Sequence, residues 1–261
     1  MKLHFLGAAP CMFDPGEDAP CYLVNDELLI DCGWHVTGTL REIGYDFGKL
    51  KTVLFTHLHH DHYMGLAGLL FHIAQSKCLD LANLTIAGPG EDLEKVVNLA
   101  WEFMQFDRFY AGLPRPKLLP LNPGDTLDLP TLTVMTGYSR HPVEARSYKV
   151  TEKAAGFSLG FSGDTVRHED SVPFFTGCGA LIHDAACGYF CGEPIAERHY
   201  GHSSLCEAAQ IAEEAGVPLL FPVHMSREAA EAAVMRYRQE FPESPVTVKT
   251  AHRFDAYEFG K

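Results

Sequence analysis

Short hydrophobic runs separated by turn residues recur along the whole chain. Runs of this length, bounded by Gly, Pro, Asn or Asp, are typical of β-strands. We assign strands to the runs "KLHFLG", "CYLVN", "ELLIDCG", "TVLFTH", "LTIAG", "LTVMTGY", "YKVT", "GFSLGFSGD" and "ALIHDA". The pattern therefore predicts a fold that is rich in short strands.

Longer segments between and after these runs carry apolar residues at helical spacing. The predicted helices are "VTGTLREIGY", "YMGLAGLLFHIAQSK", "GEDLEKVVNLAWEFMQF", "SSLCEAAQIAEEAG" and "SREAAEAAVMRYRQEF". The last two begin with Ser, a favoured N-cap residue. Helices that interrupt strands predict an α/β fold in which helices cover sheets, and we expect one domain over residues 1–261. We interpret the Pro-rich residues 111–125 as a connection.

The charge balance changes the range of functions to consider. Lys and Arg total 21 against 34 Asp and Glu, a formal net charge of −13. Because non-specific nucleic-acid binding relies on basic surface, this balance disfavours that function. No apolar run is long enough to cross a bilayer, and "MKLHFLGAAP" is interpreted as a strand and a turn, not as a secretory signal. We therefore expect a cytoplasmic protein with no membrane partner.

The 8 cysteines are scattered along the chain, which fits reduced thiols better than a disulfide framework. Cys187 and Cys191 in "CGYFC" have the spacing of half a zinc site, but the sequence offers no clear second half. Their role is left open.

The segment "TVLFTHLHHDHYMG" places His57, His59, Asp61 and His62 directly after a predicted strand. Imidazole nitrogens and carboxylate oxygens are ligands for zinc, manganese and iron(II). Side chains alternate in an extended chain, so His57 and His59 are expected to point the same way and His60 outward. Four candidate ligands on one short loop exceed the usual share of one ion, which indicates two ions. The alternative is a solvent-exposed polar loop that binds no metal.

Three further candidate ligands close apolar runs: His141 after "LTVMTGYSR", Asp164 after "GFSLGFSG" and His224 after "VPLLFPV". Each is expected at one edge of a sheet, and the alternative for each is a turn Asp or a capping His. Asp31 in "LLIDCG" either orients a ligand histidine or caps a turn.

Several other polar residues are left outside the predicted site. His183 and Asp184 end a predicted strand but are assigned no role, and no partner is evident for His35, His72, His168 and His199.

With these residues the chain resembles the metallo-β-lactamase-fold hydrolases over nearly its whole length, from "FLGAAP" to "FPVHMS". The loop after "TVLF" matches the H-x-H-x-D-H motif of that family, and the remaining ligand positions follow in order. The resemblance implies an αββα sandwich with a dinuclear site at one end of the two sheets. The ligand sets that it implies are His57, His59 and His141 for one ion, Asp61, His62 and His224 for the other, and Asp164 as the bridge.

A narrower resemblance concerns "LIHDAA" and "HYGHSSLCEAAQIAEEAGVPLLFPVHMSR", which are similar to the ribonuclease Z branch and related phosphodiesterases. In that branch a His in a "GHSS"-like loop assists the leaving group, and His202 occupies this position. The alternative for His202 is a residue at the start of a helix that Ser203 caps.

The expected reaction is phosphodiester hydrolysis by a hydroxide held on two divalent ions, because a metal lowers the pKa of bound water to ~7. Zinc is the first expectation, with manganese or iron as alternatives. Asp61 is expected to orient the hydroxide as well as bind metal, and His202 to donate a proton to the departing oxygen.

Two departures from the ribonuclease Z branch narrow the expected substrate. "PCMFDPGEDAPCYLV" replaces a Pro-x-x-x-Arg-Asn-type loop, and a long basic Gly/Pro-rich arm is missing. With the acidic charge, these departures favour a small or cyclic phosphodiester over an RNA 3′ end, which remains the other expected partner.

Other functions stay open at this point. They are a thioester, lactone or β-lactam hydrolase of the same fold and a non-catalytic metal-binding relative. Residues 100–118 are interpreted as either a lid over the site or a homodimer contact.

Overall fold

A computed structural model, which describes residues 1–189 and 200–260, contains two mixed β-sheets. In the first sheet the order is β14-β1-β2-β3-β4-β5-β6. Its strands are β1 (Lys2–Gly7), β2 (Cys21–Val24), β3 (Leu28–Ile30), β4 (Thr52–Leu54), β5 (Thr85–Gly88), β6 (Lys117–Pro120) and β14 (Ala256–Glu258). The pairs from β14 to β3 are antiparallel, and those from β3 to β6 are parallel.

The second sheet has the order β13-β12-β11-β10-β9-β8-β7. Its strands are β7 (Thr126–Asp128), β8 (Leu132–Ser139), β9 (Ala145–Glu152), β10 (Ser158–Phe161), β11 (Ala180–Asp184), β12 (Leu219–Val223) and β13 (Thr247–Val248). Pairs from β7 to β10 are antiparallel, and those from β10 to β13 are parallel. The carboxyl ends of β8, β10, β11 and β12 therefore meet at one edge.

Helices cover the outer face of each sheet. Within the described ranges the helices are α1 (Val36–Glu42), α2 (His60–Tyr63), α3 (Leu66–Ser76), α4 (Gly90–Phe103), α5 (Phe106–Phe109), α6 (Ser171–Phe175), α7 (Leu205–Glu214) and α8 (Arg227–Glu240). In α7, the Ser204 side chain accepts from the Glu207 N–H, and the Glu207 carboxylate accepts from the Ser204 N–H. This capping box places the N-cap at Ser204, so the interpretation of Ser203 as the cap is wrong.

Three hydrophobic clusters separate the layers. One joins the first sheet to α1, α3 and α4 through residues such as Leu40, Leu69 and Leu93. The second lies between the sheets and includes Phe5 and Phe161. The third joins the second sheet to α7 and α8. Burial of these apolar surfaces is the main favourable term in folding, and it holds the layers in the order helix, sheet, sheet, helix. The predicted αββα sandwich is therefore confirmed.

Two local predictions are corrected by the structure. The Pro-rich residues 111–125 contain β6, an edge strand, as well as the connection. The helix predicted from "YMG" onward is α3 and begins at Leu66, because Tyr63 ends the short α2 and the Gly65 N–H donates to the Cys32 carbonyl. A Cβ at this position would collide with the Gly33 carbonyl, so the chain needs a glycine there.

The cysteines differ from the expectation in one place. Cys206 is disulfide-bonded, so the prediction of thiols throughout is wrong at this residue. The described cysteines that form no disulfide are Cys11, Cys21, Cys32, Cys78, Cys178 and Cys187, and Cys191 lies outside the described residues.

In the part of the chain that the structure describes, no helix has the length and apolar character needed to span a bilayer.

Candidate metal centre

Strand ends bring the candidate ligands together. His57 lies just beyond β4, His141 beyond β8, Asp164 beyond β10 and His224 beyond β12. An isolated bridge between His57 and Ala145 joins the two sheets at this edge, so ligands from both sheets share one site. Polar side chains that would be costly inside either sheet can therefore face one another where the strands stop.

His57, His59 and His141 form what we call the three-histidine cluster. Nδ1 of His59 lies 3.2 Å from His57 Nε2 and 3.1 Å from His141 Nε2. The far nitrogens of the other two rings have partners, with His57 Nδ1 3.2 Å from Thr56 Oγ1 and His141 Nδ1 donating to the Gly201 carbonyl at 2.9 Å. Burial lowers the pKa of all three histidines, and neighbouring histidines lower it further, so neutral rings with inward nitrogens are favoured.

Asp61, His62 and His224 form the carboxylate cluster. Asp61 Oδ2 lies 3.4 Å from His224 Nε2 and 3.7 Å from His62 Nε2. His62 Nδ1 donates to Asp31 Oδ2 at 2.9 Å, while His62 Nε2 is buried with no hydrogen-bond partner. Burial opposes the charge on His62, but the Asp164 and Asp31 carboxylates outweigh it and raise its pKa well above the usual value.

Asp164 lies between the two clusters. Its Oδ2 atom is 3.6 Å from His57 Nε2, 3.5 Å from His62 Nε2 and 3.4 Å from His224 Nε2. Burial would raise the pKa of this carboxyl, but the surrounding histidines hold it well below its usual range. For Asp61, burial acts in the same direction and the hydrogen bond from His224 prevails, which lowers the pKa to about 2. Both carboxylates are therefore ionised at neutral pH.

His202 stands beside this centre, and Asp184 holds it. His202 Nδ1 donates to Asp184 Oδ2 at 2.9 Å and lies 3.8 Å from Asp164 Oδ2. The same Asp184 oxygen accepts from the N–H groups of Thr165 at 3.1 Å and Ser203 at 3.2 Å. Burial lowers the pKa of His202, but Asp184 and Asp164 raise it to about 9. Asp184 thus connects the loop of Asp164 with the loop of His202.

Asp184 is a functional candidate that the sequence analysis left outside the site. The signal that could have identified it is its position at the end of β11, between β10 and β12, which both end in candidate ligands. The Asp31 carboxylate accepts from His62 and also from the Thr56 N–H at 2.8 Å, an arrangement that favours the first of its two predicted roles, orienting a candidate ligand histidine.

The remaining histidines that the structure describes take no part in the cluster. His60 is exposed, as expected. His183 faces the outer core beside the Phe175 ring, His35 pairs with Asp18, and His72 packs on Phe47. His168 packs on Tyr138, and His199 lies outside the described residues.

The donor set fits divalent metal ions. Among the described residues, four groups of side chains have ligand atoms within 4.8 Å of one another: His57, His59 and His141; Asp164, Asp184, His202 and His224; His57, His62 and Asp164; and Asp61, His62 and His224. Buried nitrogens aimed at ionised carboxylates, one of them with no hydrogen-bond partner, are an arrangement that a cation stabilises.

A family model described as a beta-lactamase superfamily domain matches residues 26–225. A protein named Ribonuclease Z from Picrophilus torridus is 27% identical over 268 residues, with 86% of this chain and 85% of that protein covered. The structure of the metallo-beta-lactamase fold protein YhfI from Bacillus subtilis matches with a TM-score of 0.77 at 22% identity, covering 98% of each chain. The human tRNase Z short form matches with a TM-score of 0.72 at 22% identity, covering 99% of each chain.

Proposed function

This chain belongs to the beta-lactamase superfamily and is a metal-dependent hydrolase, and we propose that it is a dinuclear phosphodiesterase that cleaves small or cyclic phosphodiesters. The observation that carries the proposal is the convergence of two ligand clusters on Asp164, with His202 3.8 Å from the same oxygen. A centre built only to bind metal needs no hydrogen-bonded histidine at its rim.

The proposal assigns one ion to the three-histidine cluster, one to the carboxylate cluster, and the bridging position to Asp164. Zinc suits this mixture of imidazole and carboxylate ligands, and manganese and iron(II) are accepted by similar donors. When bound, the ions would supply a water with a pKa lowered to ~7 and would neutralise charge on the phosphoryl group. Asp61 is ionised and its Oδ2 atom accepts from His224, and it is proposed to orient that water.

His202 is proposed as the general acid. Its Nδ1 donates to Asp184 at the rim of the metal centre, and this hydrogen bond holds the ring beside the proposed position of the substrate. The ion pair with Asp184 favours the protonated ring, so a proton is available for the departing oxygen at neutral pH. The role of Asp184 is to hold the ring in place and stabilise its charge.

The preference for a small substrate is supported by the loop that follows β1. Glu17 and Asp18 in this loop are buried, and they bind Arg227 and the His35 N–H instead of facing solvent. The loop thus offers no basic side chain to an RNA backbone, and the formal charge of the chain is −13. RNA 3′-end processing is the second candidate, because the matched relatives carry the name Ribonuclease Z.

The test compares substrates at equal metal loading. Protein reconstituted with zinc, and separately with manganese, is assayed on 2′,3′-cyclic mononucleotides, bis(p-nitrophenyl) phosphate and a precursor transfer RNA. The proposal expects the largest kcat/KM on the cyclic or small diester. A larger kcat/KM on the transfer RNA would replace it with the second candidate. Turnover of thioesters or lactones alone, by fully metal-loaded protein, would reject both.

A further inference from the structure

The loop that presents His202 also touches the opposite side of the centre through Gly201. The Gly201 carbonyl accepts from His141 Nδ1 at 2.9 Å. A carbonyl oxygen can only accept, so this hydrogen bond places the proton of His141 on Nδ1. His141 Nε2 is then left without a proton, 3.1 Å from His59 Nδ1, in the form that binds a metal.

Gly201 also leaves no room for a side chain. It has a φ of +73°, in the left-handed region, and a Cβ built there would lie 2.8 Å from His141 Nδ1 and closer still to Pro142 Cδ. Gly216 shares the left-handed backbone but not the crowding, since it has a φ of +68° and open space where its Cβ would be. The crowding at Gly201 therefore comes from its approach to His141 and Pro142 and not from the left-handed backbone itself.

Ser203, which follows His202 in the same loop, is held independently of His141. Ser203 N–H donates to Asp184 Oδ2, and the Ser203 hydroxyl donates to the Thr165 carbonyl at 2.6 Å. The loop is thus held to the strand ends of the second sheet on one side, and it holds His141 on the other.

We propose that Gly201 is a positioning residue for the metal centre, whose carbonyl fixes the tautomer and orientation of His141 and whose lack of a side chain permits that contact. The inference rests on the proposed function, because it assigns His141 to the three-histidine ion. On this proposal, one loop both carries the proton donor His202 and helps the three-histidine cluster to bind its ion.

The first test replaces Gly201 with Ala and uses Gly216→Ala as the matched control for a left-handed glycine. Zinc affinity and zinc content are measured by titration and elemental analysis. For Gly201→Ala we expect zinc affinity at one site to fall by ~10–100-fold or more, as is typical when the partner of a metal-bound histidine is disturbed, with the other site retained. Gly216→Ala should bind zinc as the wild type does.

Equal zinc affinity in Gly201→Ala and in wild type would overturn the inference and leave the proposed function intact. Wild-type protein that binds no zinc, manganese or iron would instead overturn the proposed function.

A second measurement is made on the wild-type protein, and a variant serves only to assign its spectra. Imidazole ¹⁵N spectra of the zinc-loaded wild type, assigned with His141→Gln, report which nitrogen of His141 carries the proton. The inference requires the Nδ1–H form. The Nε2–H form would contradict it, because the Gly201 carbonyl would then accept no hydrogen bond from this ring.

Discussion

The three-histidine cluster and the carboxylate cluster share Asp164 but differ in charge. The first is built from imidazoles whose pKa values are lowered by burial and by one another. The second contains Asp61 and is backed by Asp31, and the pKa values of His62 and His224 are raised despite their burial. Within one centre, the first cluster thus favours neutral imidazoles, and the second favours protonated imidazoles whose charge is balanced by nearby carboxylates.

This difference has a structural origin. The far nitrogens of His57 and His141 lie against uncharged groups, the Thr56 hydroxyl and the Gly201 carbonyl. Residues next to the carboxylate cluster and His202 are the buried acids Asp31 and Asp184. Because a buried carboxylate stabilises a nearby positive charge, the same residue type takes a different protonation state on each side of Asp164.

The largest effect is expected when the shared carboxylate is removed. Asp164→Ala should lose most of the bound metal from both clusters and reduce kcat/KM to below ~1% of wild type, since both ions lose a ligand. Elemental analysis and the diester assay measure the two effects. If both metal content and activity survive the substitution, the ligand assignment is wrong.

Substitutions confined to one cluster should separate the two ions. His59→Asn should weaken the three-histidine ion, and Asp61→Asn the carboxylate ion, each leaving about one ion per chain at moderate zinc concentration. Asp61→Asn should also lower kcat more than His59→Asn once both variants are saturated with zinc, because Asp61 is proposed to orient the attacking water. Metal titrations followed by assays at saturating zinc check this. Identical titration curves and kcat values would remove the distinction between the clusters.

A smaller effect that depends on the substrate is expected at the rim. His202→Ala should lower kcat by ~10²–10⁴-fold on a diester with a ribose leaving group, the usual range for a general acid. The loss should be much smaller on bis(p-nitrophenyl) phosphate, whose leaving group needs little proton donation. Asp184→Asn should follow the same pattern more weakly. An equal loss on both substrates would mean that His202 acts by some means other than proton donation.

The smallest effect concerns the stability of chelated, metal-free protein. His202 has a folded pKa of about 9 against 6.5 for an ordinary histidine, so its stabilising contribution is complete below pH 6.5 and is lost as the pH rises through about 9. His59 has a lowered pKa, so its effect has the opposite sign, and stability falls as the pH drops below 6.5.

His202→Gln should therefore lower the melting temperature relative to wild type at pH 6 but not at pH 10. His59→Gln should raise the melting temperature relative to wild type only below pH 6.5. Thermal melts across this pH range provide the check. If the difference in melting temperature between each variant and wild type does not vary with pH, the contrast between the clusters is contradicted.

Four strands missed from the sequence share a position in the fold, whereas the inner strand β12 was noted only as the apolar run before His224. β6 and β14 are the edges of the first sheet, and β7 and β13 are the edges of the second. Edge strands are short, half exposed and tolerant of proline, so they lack the continuous apolar run that marked the inner strands. The hydrophobic pattern thus predicted most of the inner strands and left the edge strands unassigned.

The ligands were recognisable to different degrees for a related reason. His57, His59, Asp61 and His62 stand in one loop, so their spacing alone indicated a metal. Asp184 is the last residue of β11 and has no other candidate ligand near it in sequence. Only the parallel pairing of β11 with β10 and β12 places it beside His202. The expectations of one domain and of a homodimer contact or lid at residues 100–118 stay predictions, although Phe103 and Phe109 in that segment are 79% and 62% exposed.

X-ray diffraction at the zinc absorption edge, on crystals of zinc-reconstituted protein, tests the central claim most directly. The proposal predicts two anomalous peaks, one against His57, His59 and His141 and one against Asp61, His62 and His224, with Asp164 between them. A single peak, or none at this edge of the sheets, would contradict the dinuclear centre on which the proposed function rests.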